Sequence, residues 1–119
     1  MPHGYNSEHE KRVDAAQTEV LRLLAPLIAK KWEMAIFQID VCRTARDEPP
    51  TITHRLWNPM TDDEVFDFSD ALFLAVEALN ALFTQNKQHW KRGLLIHEKV
   101  VGRTEIRANY LFVEPKRTA

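Results

Sequence analysis

The sequence predicts an α+β fold: two principal helices packed on one face of an antiparallel sheet of about four strands, in the order helix, hairpin, helix, hairpin. Three observations lead there. Apolar residues recur every three or four positions from Glu8 to Lys31 and again across the Asp62–Asn86 segment. The period drops to two at Trp32 and once more after Asn86. The connections are short and rich in breakers, which suits antiparallel neighbours.

Each element follows from its residues. Residues 1–7 read as a polar tail. In the first helix Val13, Ala16, Val20, Leu23, Leu24, Leu27 and Ile28 form the apolar stripe, and Ser7 with Glu10 makes a capping box. Pro26 removes a backbone donor and clashes with the preceding turn, so a kink or stop is expected near Leu24–Ala25. In Trp32–Cys42, Ala35, Phe37, Ile39 and Val41 share one strand face. The other face, with Met34, Ile36, Gln38, Asp40 and Cys42, is only partly polar. Thr44–Pro50 is a proline-bearing loop, and Thr51–Trp57 is a second strand with Ile52, His54 and Leu56 on one face.

Asn58-Pro59 ends that strand. The second helix is expected over 62–86, with Val65, Phe68, Leu72, Val76, Leu79 and Phe83 as its stripe, widened by Phe66, Phe73 and Leu82. So broad a stripe predicts a largely buried helix, with Phe68, Leu72 and Phe83 in the core. Lys91–Lys99 and Thr104–Val113 are the last two strands. In the final one Ile106, Ala108, Tyr110 and Phe112 alternate with Glu105, Arg107 and Asn109, one face buried and one wet. Residues 115–119 form a short basic tail.

Bulk properties narrow the function classes. A length of 119 residues fits a single domain, 1–119, able to bury one modest core. With 16 Lys+Arg against 17 Asp+Glu there is no basic excess of the kind a nucleic-acid binder carries. No apolar run is long enough to span a bilayer. The polar start MPHGYNSEHEKR has no apolar core, so no secretory signal is read there, and the lone Cys42 cannot form an intrachain disulfide. A cytoplasmic location is expected.

No catalytic or metal motif emerges. His3, His9, His54, His89 and His97 lack the close spacing of a zinc site. Cys42 with His54 or His97 would need a lowered thiol pKa and an orienting third group. Cys42 reads more simply as a small half-buried apolar residue. Three glycines in no phosphate-loop pattern exclude the common nucleotide cradles, so no cofactor is expected.

The unusual stretch is Thr61–Asp70, TDDEVFDFSD, with five acidic residues in ten positions. Thr61-x-x-Glu64 reads as a capping box, and acids near a helix N-terminus each contribute about 0.3–1 kcal/mol. One or two would suffice, so Asp62, Asp63, Asp67 and Asp70 are candidates for contact with a basic partner, with Asp67 and Asp70 on nearly one side of the helix. Of the three tryptophans, Trp57 beside the Asn-Pro turn is expected to be the exposed one and a binding anchor.

The order and spacing over roughly residues 10–113 resemble those of the YezG-like immunity proteins, antitoxins that accompany bacterial polymorphic nuclease toxins. The resemblance is carried by KKWEMAIFQIDV, DDEVFDFSDALFLAVEALNALF, QNKQHWKRGLLIHEKV and GRTEIRANYLF. The chain departs from the pattern in its TARDEPP loop and in VVG, where the last hairpin usually has an acidic turn. The resemblance implies a cytoplasmic, non-enzymatic protein that binds the catalytic domain of a secreted toxin and blocks it. An acidic patch suits the basic cleft of a nuclease. The alternative is a small effector-binding or scaffold protein unrelated to any toxin.

Overall fold

The structure, a computed structural model, describes residues 7–42 and 49–113. The capping role of the Ser7 side chain, Thr44–Glu48 of the proline-bearing loop and the basic tail lie outside the described residues. The fold is α+β, with two helices and a five-stranded, wholly antiparallel sheet. The elements are α1 (Ser7–Leu24), β1 (Met34–Cys42), β2 (Thr51–Trp57), β3 (Glu64–Val65), α2 (Asp70–Gln85), β4 (Trp90–Val100) and β5 (Arg103–Phe112). The fifth strand is the two-residue β3, beyond the four expected. Contacts divide the chain into a helical unit, Met1–Ala29 with Asp67–Gln88, and a sheet unit, Lys30–Phe66 with His89–Ala119.

In the helical unit α1 packs along α2. Val20 and Leu24 are fully buried. The α-helix ends at Leu24, as Pro26 requires, and a single 3-10 turn, Ala25–Leu27, carries the chain on to an extended Ile28. The Nε2 of His9 lies 2.8 Å from Oε1 of Gln88, joining the start of α1 to the residues just past α2 and making the two helices antiparallel.

The second helix is shorter than its apolar pattern predicts. Its N-cap is Ser69, whose Oγ accepts from the Leu72 N–H at 3.2 Å. The expected Thr61–Glu64 capping box does not form, because Glu64 and Val65 pair with β2 instead. Val65 is therefore a strand residue and Asp67 precedes the helix. Leu72, Ala75, Val76, Leu79 and Phe83 are buried, but Phe68 is only half-buried and Phe66 is exposed. Phe68 instead meets Phe73 edge-on at 6.3 Å. Phe73, 39% exposed, and Leu82, half-buried, narrow the expected stripe further.

The C-terminus of α2 closes in a Schellman arrangement. Gln88 N–H donates to the Phe83 carbonyl at 2.8 Å and Lys87 N–H to that of Thr84 at 3.0 Å. Lys87 takes the left-handed conformation, φ 57°, where a glycine usually sits.

The sheet runs β3-β2-β1-β4-β5. On one face Ala35, Phe37, Ile39 and Val41 are buried, as their alternation predicts. Register extends these positions into rows. Phe37 lies between Leu56 and Leu95, and Leu95 faces Ala108. Ile39 lies between His54 and Gly93, and Gly93 faces Tyr110. Trp90 joins this face because the β4–β5 register shifts between Trp90 and Arg92. The face thins at β5, where Ile106 is 46% exposed and Ala108, Tyr110 and Phe112 are half-buried, so the expected fully buried side is only partly covered.

Candidate partner-binding surface

The turn after β2 is built on Asn58, which is almost completely buried. Its Oδ1 accepts from Met60 N–H at 2.9 Å, an Asx turn. Its carbonyl accepts from Asp62 N–H at 2.8 Å and its N–H donates to the Asp63 carbonyl at 2.8 Å. The chain reverses at Asp62 with φ 63°, a conformation Asp tolerates better than most residues. Asp62 and Asp63 are exposed at this tip, and Asp63 accepts a 3.0 Å hydrogen bond from Thr61 Oγ1. The acids placed at a helix start by their spacing thus belong to a tight turn in the sheet unit.

Asp67 and Asp70 belong to the helical unit, on either side of the Ser69 cap, and both are exposed. Asp70 alone occupies the first turn of α2, where the helix dipole favours its charge. The expected shared helix side for Asp67 and Asp70 does not arise, since Asp67 is not helical.

Trp57 is half-buried rather than exposed, while Trp32 and Trp90 are buried. The Arg55 guanidinium lies over the Trp57 ring, 4.1 Å from its centroid, and its Nε also reaches Glu64 Oε1 at 3.1 Å. Trp57 belongs to the second face of the sheet. Across that face Glu64, Trp57, Ile36, Ile96 and Arg107 stand opposite one another in register. Gln38 and Leu94 form the next row between Arg55 and Asn109. Ile36, Leu94 and Ile96 are half-buried. The result is an apolar centre with a charged rim.

Three ion pairs lie along the rim: Arg55–Glu64 at 3.1 Å, Arg92–Asp40 at 2.7 Å and Arg107–Glu98 at 3.5 Å. Exposed pairs of this kind contribute about 0–1 kcal/mol each, so they shape the surface more than they stabilise it. Burial raises the Asp40 pKa, but hydrogen bonds from Arg92 and Gln38 outweigh it and hold the carboxyl below its ordinary value. The sequence singles out Trp57 but not Ile36, Leu94 and Ile96, which share this face with it. The signal was the only partly polar second face of Trp32–Cys42.

The remaining reactive residues are scattered. His54 and His97 lie on the buried face of the sheet, and burial lowers both pKa values, that of His54 to about 4. Nδ1 of His97 is buried without a hydrogen-bond partner. Cys42 ends β1 and is exposed, not half-buried. Among the described residues no group of three His, Cys, Asp or Glu side chains could hold a metal ion. A hollow of about 160 Å³ in the helical unit is lined by His9, Glu10, Val13, Asp14, Phe83 and Gln88. It is smaller than the roughly 300–1,000 Å³ usual for a small-molecule site. No described helix is long and apolar enough to cross a membrane. No protein-family model matches the chain, and a comparison with curated proteins finds no match.

Proposed function

We propose that the chain is a cytoplasmic immunity protein that binds and blocks the catalytic domain of a cognate nuclease-type toxin, without catalysis or cofactor of its own. The observation that carries this reading is the second face of the sheet. Its half-buried centre of Trp57, Ile36, Leu94 and Ile96 lies inside a rim of both charges. Binding interfaces concentrate their energy in such aromatic and aliphatic anchors and surround them with polar groups that exclude water. Beside Trp57 the Asn58 turn presents Asp62 and Asp63, whose charge suits a basic nuclease surface. The order and spacing of the segments, which resemble the YezG-like immunity proteins, supply the class of partner.

The test begins with the genes beside this one, among which a secreted protein ending in a nuclease-like domain is expected, and uses that domain. Purified chain should bind that domain and abolish its nuclease activity, and co-expression should rescue growth. Trp57→Ala should weaken the complex by about tenfold or more. Asp62→Lys with Asp63→Lys should slow association and change its salt dependence. Asp67→Lys with Asp70→Lys probes the helical unit separately. A nuclease domain that remains fully active in excess chain defeats the reading. Binding that is untouched by all three variants moves the interface elsewhere.

A further inference from the structure

The two edges of the sheet differ. One is β3, two residues long. The other is β5, ten residues long, with no proline in its sequence RTEIRANYLF. Natural proteins shorten, bulge or break such an edge to stop it pairing with other strands. The only register irregularity between β4 and β5 lies at Trp90/Arg92, near one end, and leaves Arg103–Tyr110 regular.

The direction of the outward backbone groups can be worked out. Val113 N–H donates inward to the His89 carbonyl at 2.6 Å. Alternation along an antiparallel strand then turns the N–H and C=O of Thr104, Ile106, Ala108, Tyr110 and Phe112 away from β4. Any strand added at this edge must bond to those residues.

We propose that a second copy of this chain adds its own β5 here, antiparallel, about a two-fold axis at Ile106. Two five-stranded sheets thereby become one continuous sheet. A two-fold edge contact is self-complementary by construction, and the charges select its register. With the axis at Ile106, outward-bonding residues meet outward-bonding residues. Glu105 then faces the partner's Arg107, and Arg107 faces the partner's Glu105. Both are non-hydrogen-bonded positions, where opposed side chains stand closest. An axis at Glu105 or at Arg107 would set that residue against itself. An axis at Ala108 would set Glu105 against the partner's Leu111, and an axis nearer Arg103 shortens the overlap.

On the other face of the strand Ile106, 46% exposed, meets the partner's Ile106 and gains apolar cover. The present ion pairs of these residues, Arg103–Glu105 at 2.8 Å and Arg107–Glu98 at 3.5 Å, are surface pairs of small worth and do not hold the charges back. The contact rests on the edge of the sheet and does not need the toxin reading, although its Arg107 also lies in the rim of the face described above.

Sedimentation equilibrium on the full chain tests it. The wild type should sediment as a dimer in the micromolar range. Arg107→Glu and Glu105→Lys should each weaken the dimer by on the order of tenfold, because each puts like charges opposite each other twice. The double variant Glu105→Lys with Arg107→Glu rebuilds both pairs with exchanged signs and should recover dimerisation. Circular dichroism establishes that each variant folds. A wild type that stays monomeric at roughly 100 μM overturns the proposal. So does a dimer indifferent to either single change, or a double variant no better than the singles.

Discussion

A Cβ built on Gly93 would lie 2.8 Å from Cζ3 of Trp90, closer than packed carbon atoms come. Trp90 is fully buried, and its ring meets that of Tyr110 at 5.6 Å between centroids. Gly93 sits between Ile39 and Tyr110 in the sheet, so the indole fills the space that a side chain would occupy. Gly93→Ala should lower stability by about 1–3 kcal/mol through overpacking, measured by urea denaturation. An unchanged midpoint would show that the indole moves freely.

The reason Trp90 and Gly93 meet was not legible in the sequence. Three residues apart on a regular strand, they would point to opposite faces. The extra residue at the Trp90/Arg92 register shift restores them to one side. The buried face of β1 was legible, because its alternation is undisturbed from Met34 to Val41, although the strand starts at Met34 rather than Trp32 and Cys42 is exposed. The acidic run was misread for a different reason. Thr61-x-x-Glu64 satisfies the capping-box pattern, yet the hydrogen bonds centred on Asn58 claim that stretch for a turn and β3. Ser69, just before the continuous apolar run, was the better cap signal. Trp57 stands out in the sequence as an aromatic residue beside a turn, while the row opposite it depends on strand register, which turn lengths and pairing decide.

Ser69→Ala should therefore lower stability by about 0.5–2 kcal/mol, while Thr61→Ala should have a smaller effect. Ser69 Oγ satisfies a helix N–H, whereas Thr61 Oγ1 bonds only within an exposed turn. Paired thermal melts make the comparison. The reverse order of the two variants would restore the longer helix.

Leu72 and Leu74, neighbours on α2, should respond oppositely to truncation. Leu72 is fully buried and Leu74 is 65% exposed. Leu72→Ala should cost about 2–5 kcal/mol, and Leu74→Ala less than about 1 kcal/mol. Equal losses in chemical denaturation would mean that the buried stripe of α2 is misplaced.

Lys87 offers a gain. Its φ of 57° is a conformation that a Cβ disfavours, and it occupies the position that glycine usually takes in this helix ending. The hydrogen bonds of the motif use only backbone atoms, Gln88 N–H to Phe83 and Lys87 N–H to Thr84. Lys87→Gly keeps them and removes the steric penalty, less the entropy glycine loses on folding. The expected outcome is a stabilisation of about 0.5–1 kcal/mol, seen as a higher melting temperature. A lower one would mean that the lysine stem contributes packing worth more than its backbone strain.

Stability should fall in mild acid because of the two histidines on the buried face of the sheet. His54 sits opposite Ile39, with its ring 5.3 Å from that of Phe37. Burial disfavours its charged form and lowers its pKa from 6.5 to about 4. His97, opposite Ala35 and Ile106, is shifted in the same direction by the same cause. Between about pH 6.5 and 4 the unfolded chain therefore binds protons that the folded chain does not. The stability present above pH 6.5 declines through that window and levels off below the folded pKa. Asp40 acts lower, because its pKa is depressed from an already acidic 3.8. Urea midpoints at pH 7.5, 6 and 5 should descend, and His54→Leu should flatten the descent by removing one of the protons taken up. A His54→Leu variant with the wild-type slope would place the acid sensitivity elsewhere, with His97→Leu the next variant to measure.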